Sequence, residues 1–448
     1  MDQRRRVIED AGVAVVDGRV AAVGSADDIA KGFGADEVID ARRCIVMPGL
    51  ICSHTHLYGI ALRGSALKIR PPSDFLQILQ RIWWPVDEAL TNDDAYATAL
   101  AAGAESLTNG TTCYADTYSA PNAIEGSLDG IAKASNDVGL RGIISFEATE
   151  RRSADEGTRG LKENLRFIAR KDKGRAKGMI SLHASFTVSD DLISRGVEAS
   201  RRHRVPLTIH VSEGPNDGYH NMERYGQRSV ERLHESGLLS SRAVLAHCVH
   251  LNRREIGLIA KSSSSVAHNP MSNMLNAVGV ASLTEMMDQG VNVGLGNDGY
   301  VFDMFENMRA GFLLQRVARR DPNRPTPQEV MEMCTVNAAR AYGLSSLGSI
   351  EVGKRADIIV VRPTFTATPY SGSIYGYIVN SLRGPDVRDA IVDGQVVMKN
   401  RKLITLDIHE AETKVMKTMN RLWDRLGSSP SEAVESLGQD PHRKKKSS

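Results

Sequence analysis

The chain has 448 residues, 41% hydrophobic and 25% charged, and its 56 Lys and Arg against 54 Asp and Glu leave a net charge of +2. This charge balance argues against dedicated nucleic-acid binding, and no apolar run reaches the roughly 18 residues of a membrane span. We therefore expect neither a nucleic acid nor a membrane as a partner. Five scattered cysteines without CxxC spacing, and an N-terminus without the apolar core of a signal peptide, predict a reduced, cytoplasmic protein.

The first predicted element is a β-hairpin around Asp17-Gly18, a dipeptide typical of the type I′ turn. A similar unit recurs late in the chain around Asp393-Gly394. Short β pieces at opposite ends of a chain hide their apolar faces only by pairing with each other. We therefore predict one small β-sandwich domain built from both termini, over residues 1–47 and 346–405.

The next predicted strand is an apolar run that begins at Pro48-Gly49 and ends in two histidines, His54 and His56. On a strand, residues i and i+2 project from the same face, so both imidazoles can point at one metal ion. An HxH motif alone fits equally well a buried strand that simply ends in polar residues. Further His and Asp residues, each directly after its own apolar run, favour the metal site.

Residues 48–345 alternate between short apolar runs and helical patterns. Helical periodicity is clearest over 93–107, 190–203, 226–236 and 326–342. The eight candidate strands end near Ser53, Tyr114, Phe146, Leu182, His210, His247, His268 and Gly296. Eight strands that are each followed by a helix predict an α/β fold, a closed (β/α)₈ TIM-type barrel with its chemistry at the C-terminal strand ends.

The last predicted helix covers residues 406–426, where apolar residues recur every three or four positions. We expect it to pack on the barrel or on a partner subunit. Residues 427–448 are polar with a basic end, and we expect a disordered, solvated tail.

Four residues at the predicted strand ends form the candidate ligand set for one divalent metal ion: His54, His56, His210 and Asp298. Neutral imidazoles and carboxylates hold zinc and related ions, and a catalytic centre keeps one position open for water. The glycines that flank Asp298 allow a close approach at the strand mouth. Taken alone, Asp298 is better explained as a helix cap or an Asp-Gly turn residue.

Two further residues are candidates for catalysis. Glu213 follows His210 by three positions, so its carboxyl group would reach past the metal toward a substrate and could move protons there. His247 ends the following strand, where it is either a fourth nitrogen ligand or a hydrogen-bond partner of the activated water. We favour the second role, although the spacing does not decide between them.

Candidates for substrate contacts are His183, His268 and Asn269 at two more strand ends, where they could hydrogen-bond a polar ring. Arg63 and Trp83 lie on the long segment after the first barrel strand, and Trp83 could stack on a flat substrate. A place in the core or at a subunit interface is an equally good interpretation of Trp83.

Together the motifs resemble the amidohydrolase superfamily, in its branch of mononuclear-metal aminohydrolases, which includes methylthioadenosine/S-adenosylhomocysteine deaminases, guanine deaminases and triazine hydrolases. The likeness covers about residues 8–426 and rests on segments 48–56, 210–213, 245–248, 268–273, 296–299 and 348–357. Segments 72–75 and 83–87 look most like the aminohydrolases associated with selenium metabolism. Members usually open with one more strand before residues 5–8, so either the β domain lacks an edge strand or the start is assigned late.

The resemblance implies a metal-dependent hydrolytic deaminase that releases ammonia from a small amino-substituted heterocycle of the purine, pterin or triazine type. It assigns the metal to the four candidate ligands and proton transfer to Glu213. In the deaminase hypothesis, Asp298 also assists as a base. The fourth strand ends in Leu182-His183, without the lysine that bridges two metals in other members, so one ion is expected, Zn²⁺ with Fe²⁺ as the alternative. We also expect a homo-oligomer, a dimer or tetramer.

Two alternatives to the deaminase hypothesis remain open at this point. A related hydrolase could displace chloride or an alkylamine from a triazine-like ring, or open a cyclic amide. A halide needs no protonation, so Glu213 weakly favours ammonia release. A non-catalytic scaffold is the third class, and the complete candidate ligand set argues against it.

Overall fold

The fold is known from a computed structural model that describes residues 2, 4–64, 69–363 and 371–427. The strands are β1 (Ala11–Val16), β2 (Arg19–Ser25), β3 (Ile45–Pro48), β4 (Leu50–Thr55), β5 (Thr111–Tyr118), β6 (Arg141–Ala148), β7 (Lys177–Gly178), β8 (Ile180–Ala184), β9 (Leu207–Val211), β10 (Ala243–His247), β11 (Ser265–His268), β12 (Asn292–Leu295), β13 (Ile358–Val361), β14 (Val387–Val392), β15 (Gln395–Lys399) and β16 (Lys402–Leu403).

The α-helices are α1 (Ala26–Gly32), α2 (Phe75–Ile78), α3 (Trp84–Ala89), α4 (Asn92–Thr108), α5 (Ser127–Val138), α6 (Ala154–Ala169), α7 (Asp190–His203), α8 (Pro215–Tyr225), α9 (Ser229–Glu235), α10 (Arg253–Ser262), α11 (Pro270–Leu275), α12 (Leu283–Asp288), α13 (Met304–Arg319), α14 (Pro327–Met333), α15 (Val336–Ala341), α16 (Ile374–Ser381) and α17 (Ile408–Arg425). A π-helical turn, Leu79–Trp83, joins α2 to α3, and 3₁₀ turns lie at Leu57–Leu62, Ser371–Ser373 and Gly384–Asp386. No helix within the described ranges combines the length and apolarity that a bilayer crossing needs.

Eight parallel strands form the barrel, in the order β4, β5, β6, β8, β9, β10, β11 and β12. The last strand returns beside the first, where the backbone N–H of Asn297 donates to the carbonyl oxygen of His54 at 3.0 Å. The predicted (β/α)₈ barrel is confirmed. Predicted strand ends at His247 and His268 coincide with the observed ends, whereas β5 runs on to Tyr118 rather than stopping at Tyr114.

Helix α7 shows why local sequence predicted the barrel helices well. Its N-cap, Ser189, accepts a hydrogen bond from the backbone N–H of Leu192, and Asp190 begins an acidic first turn that suits the helix dipole. The helix ends at His203, and Arg204 follows in the left-handed conformation with φ 54°. These signals together fix both ends of the predicted range 190–203.

The helical pattern over 326–342 is not one helix but two, α14 and α15. Thr335 interrupts it with a non-helical backbone of φ −134° and ψ −100°. The interruption frees the carbonyl oxygen of Cys334, which accepts a hydrogen bond from the backbone N–H of Ile51 in the barrel at 2.8 Å. Tertiary pairing with the first barrel strand therefore overrides helix propensity here.

The small β unit contains segments from both ends of the chain, as predicted. Strand β3 pairs antiparallel with β13 in a five-stranded sheet, with Val46 opposite Val360. The β1–β2 hairpin forms a separate sheet and does not pair strand to strand with β14 and β15. Instead Val20 packs into one apolar cluster with Ile358 and Ile391, so the two sheets bury their faces against each other. The domain boundaries themselves stay a prediction.

The two Asp-Gly turns of this unit touch each other. Asp17 and Gly18 have φ of 49° and 74°, and Asp393 and Gly394 have 57° and 76°, as type I′ turns require. A Cβ atom on Gly394 would lie 2.5 Å from the Cα of Gly18. Glycine is therefore needed at these positions for the close approach as well as for the turn.

Helix α17 lies against the barrel, on the side of the segment that follows the first barrel strand. The indole N–H of Trp423 donates to the carbonyl oxygen of Ala61 at 2.8 Å, and Arg425 donates to that of Ala89 at 2.9 Å. Residues 428–448, which include nearly all of the predicted tail, lie outside the described residues.

Replacing Leu422 by Ala is expected to lower the free energy of unfolding by about 2–5 kcal/mol, because the side chain is fully buried under α17 and its loss leaves a cavity. Urea denaturation followed by circular dichroism measures this change. Met416→Ala on the same helix is the matched control, since that side chain is 52% exposed and its loss should change the stability by less than about 0.5 kcal/mol. Equal losses in both variants would contradict the packing of α17 on the barrel.

Candidate active site

Five polar side chains converge at the C-terminal mouth of the barrel. His54 lies on β4 and His56 directly after it, His210 lies on β9, His247 ends β10, and Asp298 follows β12. All five are buried. In a parallel barrel the C-terminal strand ends meet at one face, so residues far apart in sequence come together there.

The side chains meet around one carboxylate oxygen. Asp298 Oδ1 lies 3.0 Å from His54 Nε2, 3.3 Å from His56 Nε2 and 3.5 Å from His247 Nε2. His210 Nε2 lies 3.3 Å from His56 Nε2. The possible ligand atoms of His54, His210, His247 and Asp298 all lie within 4.8 Å of one another. The structure thus brings the four predicted ligands together and adds His247 to them.

Hydrogen bonds at the far ring edges determine which nitrogen faces the centre. The Nδ1–H of His56 donates to the carbonyl oxygen of Thr117 at 2.8 Å, and that of His210 donates to the carbonyl oxygen of His183 at 2.7 Å. Because carbonyl oxygens only accept, Nδ1 carries the hydrogen and Nε2 presents a lone pair to the centre. This is the arrangement of histidines that bind metal ions in proteins, so the residues fit a divalent cation.

The pKa values of the buried histidines show that the centre favours a bound positive charge. Burial lowers the pKa of His54 to about 4, which keeps that ring neutral and able to ligate. Burial also lowers the pKa of His247, but the carboxylates of Glu213 and Asp298 outweigh it and raise the pKa to about 9. Two buried carboxylates beside imidazoles favour a cation, whether a proton or a metal ion.

Unusual backbone conformations present these side chains. His247 and Asp298 have φ of 69° and 57°, in the left-handed region that residues other than glycine seldom adopt. The backbone N–H of Asp298 donates to the carbonyl oxygen of His54 at 3.2 Å, which helps to hold the turn. A Cβ atom on Gly299 would lie 2.4 Å from the carbonyl oxygen of His56. Glycine is therefore required beside Asp298, as the sequence suggested.

Glu213 lies beside this centre, in the same pocket. Its Oε2 is 3.4 Å from His247 Nε2, and its Oε1 accepts a hydrogen bond from Asn276 Nδ2 at 3.5 Å. Burial raises the pKa of Glu213 above its usual range. A carboxyl group with a raised pKa can both accept and donate a proton near neutral pH, which general acid–base catalysis requires.

Five aromatic side chains form part of the pocket wall. Tyr58, Phe75, Trp83, Trp84 and Phe186 line it. The ring of Trp83 lies 5.9 Å from that of His56, and its indole N–H donates to the Tyr300 hydroxyl at 3.0 Å. Trp83 is thus both buried and in the wall, so the two interpretations of this residue describe one position. Flat rings fit between such walls.

The remaining predicted substrate contacts divide into two groups. His183 lines the pocket, with its Nδ1 2.7 Å from the Thr187 hydroxyl. Asn269 lies behind the ligands, where its Nδ2 is 3.3 Å from His247 Nε2, and His268 is fully buried beside it in sequence. Neither of these two is part of the pocket lining, and the ring nitrogens of His268 have no hydrogen-bond partner among the described residues. Their contact with substrate stays a prediction.

Arg63 lies outside the pocket. Its guanidinium pairs with Glu105 at 2.6 Å, donates to the carbonyl oxygen of Tyr300 at 2.8 Å and lies over the ring of Phe302. These partners hold the side chain on the outer surface of the segment after β4. The pocket lining does not include Arg63, and its contact with substrate stays a prediction.

Several pocket residues were not predicted from the sequence, among them Asp87, Glu147 and Asn276. Glu147 comes directly after the apolar run Ile143 to Phe146 near the end of β6. The rule that identified the histidines, a polar residue at a strand end, could have found it. Asp87 lies on a helix, and its local sequence carries no comparable signal.

Comparisons with known proteins agree with this geometry. Residues 45–397 match the model of the Amidohydrolase family. The 5-methylthioadenosine/S-adenosylhomocysteine deaminase of Desulforudis audaxviator is 35% identical over 423 residues, 92% of this chain and 94% of that protein. The 5'-deoxyadenosine deaminase of Methanosarcina mazei is 34% identical over 438 residues, 96% of this chain and 97% of that protein.

Solved structures give the same architecture. An adenosine deaminase from Xanthomonas campestris with bound zinc has a TM-score of 0.83 and 25% identity, covering 94% of this chain and 95% of the other. The atrazine chlorohydrolase of Arthrobacter aurescens complexed with zinc has a TM-score of 0.80 at 23% identity, covering 93% and 97%. The second likeness shows the fold alone.

Proposed function

The chain belongs to the amidohydrolase family, and from that membership we propose that it is a metal-dependent hydrolytic deaminase of a small amino-substituted nitrogen heterocycle. One observation carries the proposal. The imidazoles of four histidines and the carboxylate of Asp298 converge in an aromatic pocket that also holds Glu213. Relatives that are named as deaminases of adenosine-type compounds support the same reaction class.

We propose that His54, His56, His210 and Asp298 hold one divalent ion, with zinc favoured by the adenosine deaminase structure with bound zinc. Strand β8 ends in His183-Ala184 and offers no lysine to bridge a second ion. Such an ion, when bound, supplies an activated water and stabilises negative charge on the attacked ring. Asp298 Oδ2 accepts a hydrogen bond from the Ser272 hydroxyl at 2.5 Å, which keeps Oδ1 directed at the imidazoles.

The protein's own residues then move protons. Glu213 takes a proton from the attacking water and gives it to a ring nitrogen, as a C–O bond forms at the amine-bearing carbon. The hydroxyl group now on that carbon then gives up its proton, which passes through a carboxylate, Asp298 or Glu213, to the amine. The C–N bond breaks, ammonia departs, and a carbonyl group remains on the ring. His247, 3.4 Å from Glu213 and 3.5 Å from Asp298, orients the water between the two carboxylates.

The test is ammonia release across a panel of aminopurines and their nucleosides, aminopterins and aminotriazines, with metal content measured on the same preparation. We expect ammonia from at least one ring, and activity that follows the bound metal when a chelator removes it and zinc restores it. Release of chloride or alkylamine from triazines without any ammonia from the panel would replace deamination with the alternative displacement reaction. Stoichiometric metal with no product from any ring would reject both.

A further inference from the structure

A buried carboxylate in the pocket has no role in the reaction described above. Glu147 lies near the C-terminal end of β6, lines the pocket and is only 2% exposed. Its Oε1 accepts no hydrogen bond from any residue that the structure describes. An acceptor that is buried without a donor costs folding free energy, so a position of this kind calls for a partner that comes from outside the chain.

The two imidazoles beside Glu147 do not satisfy its Oε1, and the Thr117 hydroxyl that faces the same carboxyl group leaves Oε1 without a partner. Glu147 Oε1 lies 3.8 Å from His56 Nδ1 and 3.6 Å from His210 Nδ1. Both of these nitrogens give their hydrogen to the backbone carbonyls of Thr117 and His183. The same hydrogens exclude a second metal site at these three residues, because Nδ1 has no lone pair left for an ion.

The nearby guanidinium is also engaged. Arg151 Nη2 donates to Asp87 Oδ2 at 2.8 Å and to the Ser119 hydroxyl at 3.2 Å. Within the described part of the chain, the only cationic or titrating nitrogens within 4 Å of the Glu147 carboxylate are those of the two imidazoles. The acceptor is thus available to a ligand that brings its own N–H group.

We propose that Glu147 accepts a hydrogen bond from an N–H group of the substrate other than the departing amine. The inference rests on the proposed function and narrows its substrate class to rings with a second donor, either a ring N–H or a further amino group. Glu213 and Glu147 lie on different barrel strands, after β9 and on β6, so they meet different parts of a ring in the pocket. The adenine ring of a simple nucleoside has no such second donor.

Two matched pairs of rings test this inference, because the members of each pair differ in a single donor. They are 9-methyl-2,6-diaminopurine against 9-methyladenine, and 9-methylguanine against 1,9-dimethylguanine, in which the 9-methyl group removes the imidazole N–H. Isothermal titration of the zinc-loaded protein measures each dissociation constant apart from turnover. In at least one pair we expect the ring with the donor to bind about 10-fold or more tightly, since a buried acceptor left unpaired penalises the other ring.

Glu147→Met removes the acceptor at similar volume and should bring the members of that pair within about 2-fold of each other. Glu147→Gln keeps a neutral acceptor and should retain part of the preference, which covers the case that the Met variant folds poorly. Glu163→Gln is the control, because that side chain is equally buried but is held by Arg166 on the outer helix α6. The control should keep the wild-type preference.

Metal content and the visible spectrum of the cobalt-substituted protein distinguish a hydrogen bond from Glu147 to the substrate from a role of Glu147 in positioning the metal ligands. Unchanged spectra with a lost preference support the inference. Equal binding of both members of each pair by the wild type overturns it, as does loss of metal from the Glu147 variants with the preference intact, or no binding of any of the four rings. A ring that binds without releasing ammonia counts against the proposed function alone.

Discussion

Glu213→Gln is expected to lower kcat by about 10²- to 10⁴-fold while the protein keeps its metal ion. The amide has the shape of the carboxyl group and can still contact Asn276, but it cannot take a proton from water and pass it to the ring. Because Glu213 is not among the proposed ligands, the centre around Asp298 stays intact. Steady-state ammonia release and metal analysis of the same sample measure the two effects separately.

Glu156→Gln provides the matched control for this experiment. Glu156 is similarly buried and pairs with Arg152 on the outer layer of the barrel, away from the pocket. That variant should keep wild-type turnover. A Glu213→Gln enzyme whose kcat stays within about 3-fold of wild type would remove the proton-transfer role from Glu213, whatever its metal content.

The ligand positions were accessible from sequence because a buried parallel strand appears as an apolar run, and a polar residue at its end is conspicuous. His54, His210 and His247 each follow such a run, and the structure brings them together. The spacing could not decide whether His247 is a ligand or orients water. Its Nε2 lies close to Asp298 and Glu213 alike, so the geometry suits both roles.

Other features depend on partners that are remote in the chain. Arg63 looked like a pocket residue, but Glu105 on α4 holds it outside, and no local pattern connects the two. Thr335 breaks a helical pattern because the neighbouring Cys334 pairs with the first barrel strand. Glu147 resembles any glutamate near the end of a strand until its burial and its unpaired oxygen are known. Tertiary packing, which periodicity does not encode, decides all three cases.

His210→Ala is expected to lose both the metal and the activity, in contrast to Glu213→Gln. The imidazole of His210 lies 3.3 Å from that of His56 at the Nε2 atoms, so its removal deletes one of the proposed ligands. It also leaves the carbonyl oxygen of His183 without its 2.7 Å hydrogen bond. Metal content after dialysis should fall well below one ion per chain, and kcat/KM should fall by more than about 10³-fold.

His203→Ala on α7 is the control for this substitution, since that histidine is exposed at the end of its helix and should tolerate the change. Circular dichroism confirms that both variants fold, because a misfolded protein also loses metal. A folded His210→Ala protein that retains one tightly bound ion would show that the remaining imidazoles and Asp298 suffice as ligands. His247, which already lies within reach of them, would then be the residue that completes the set.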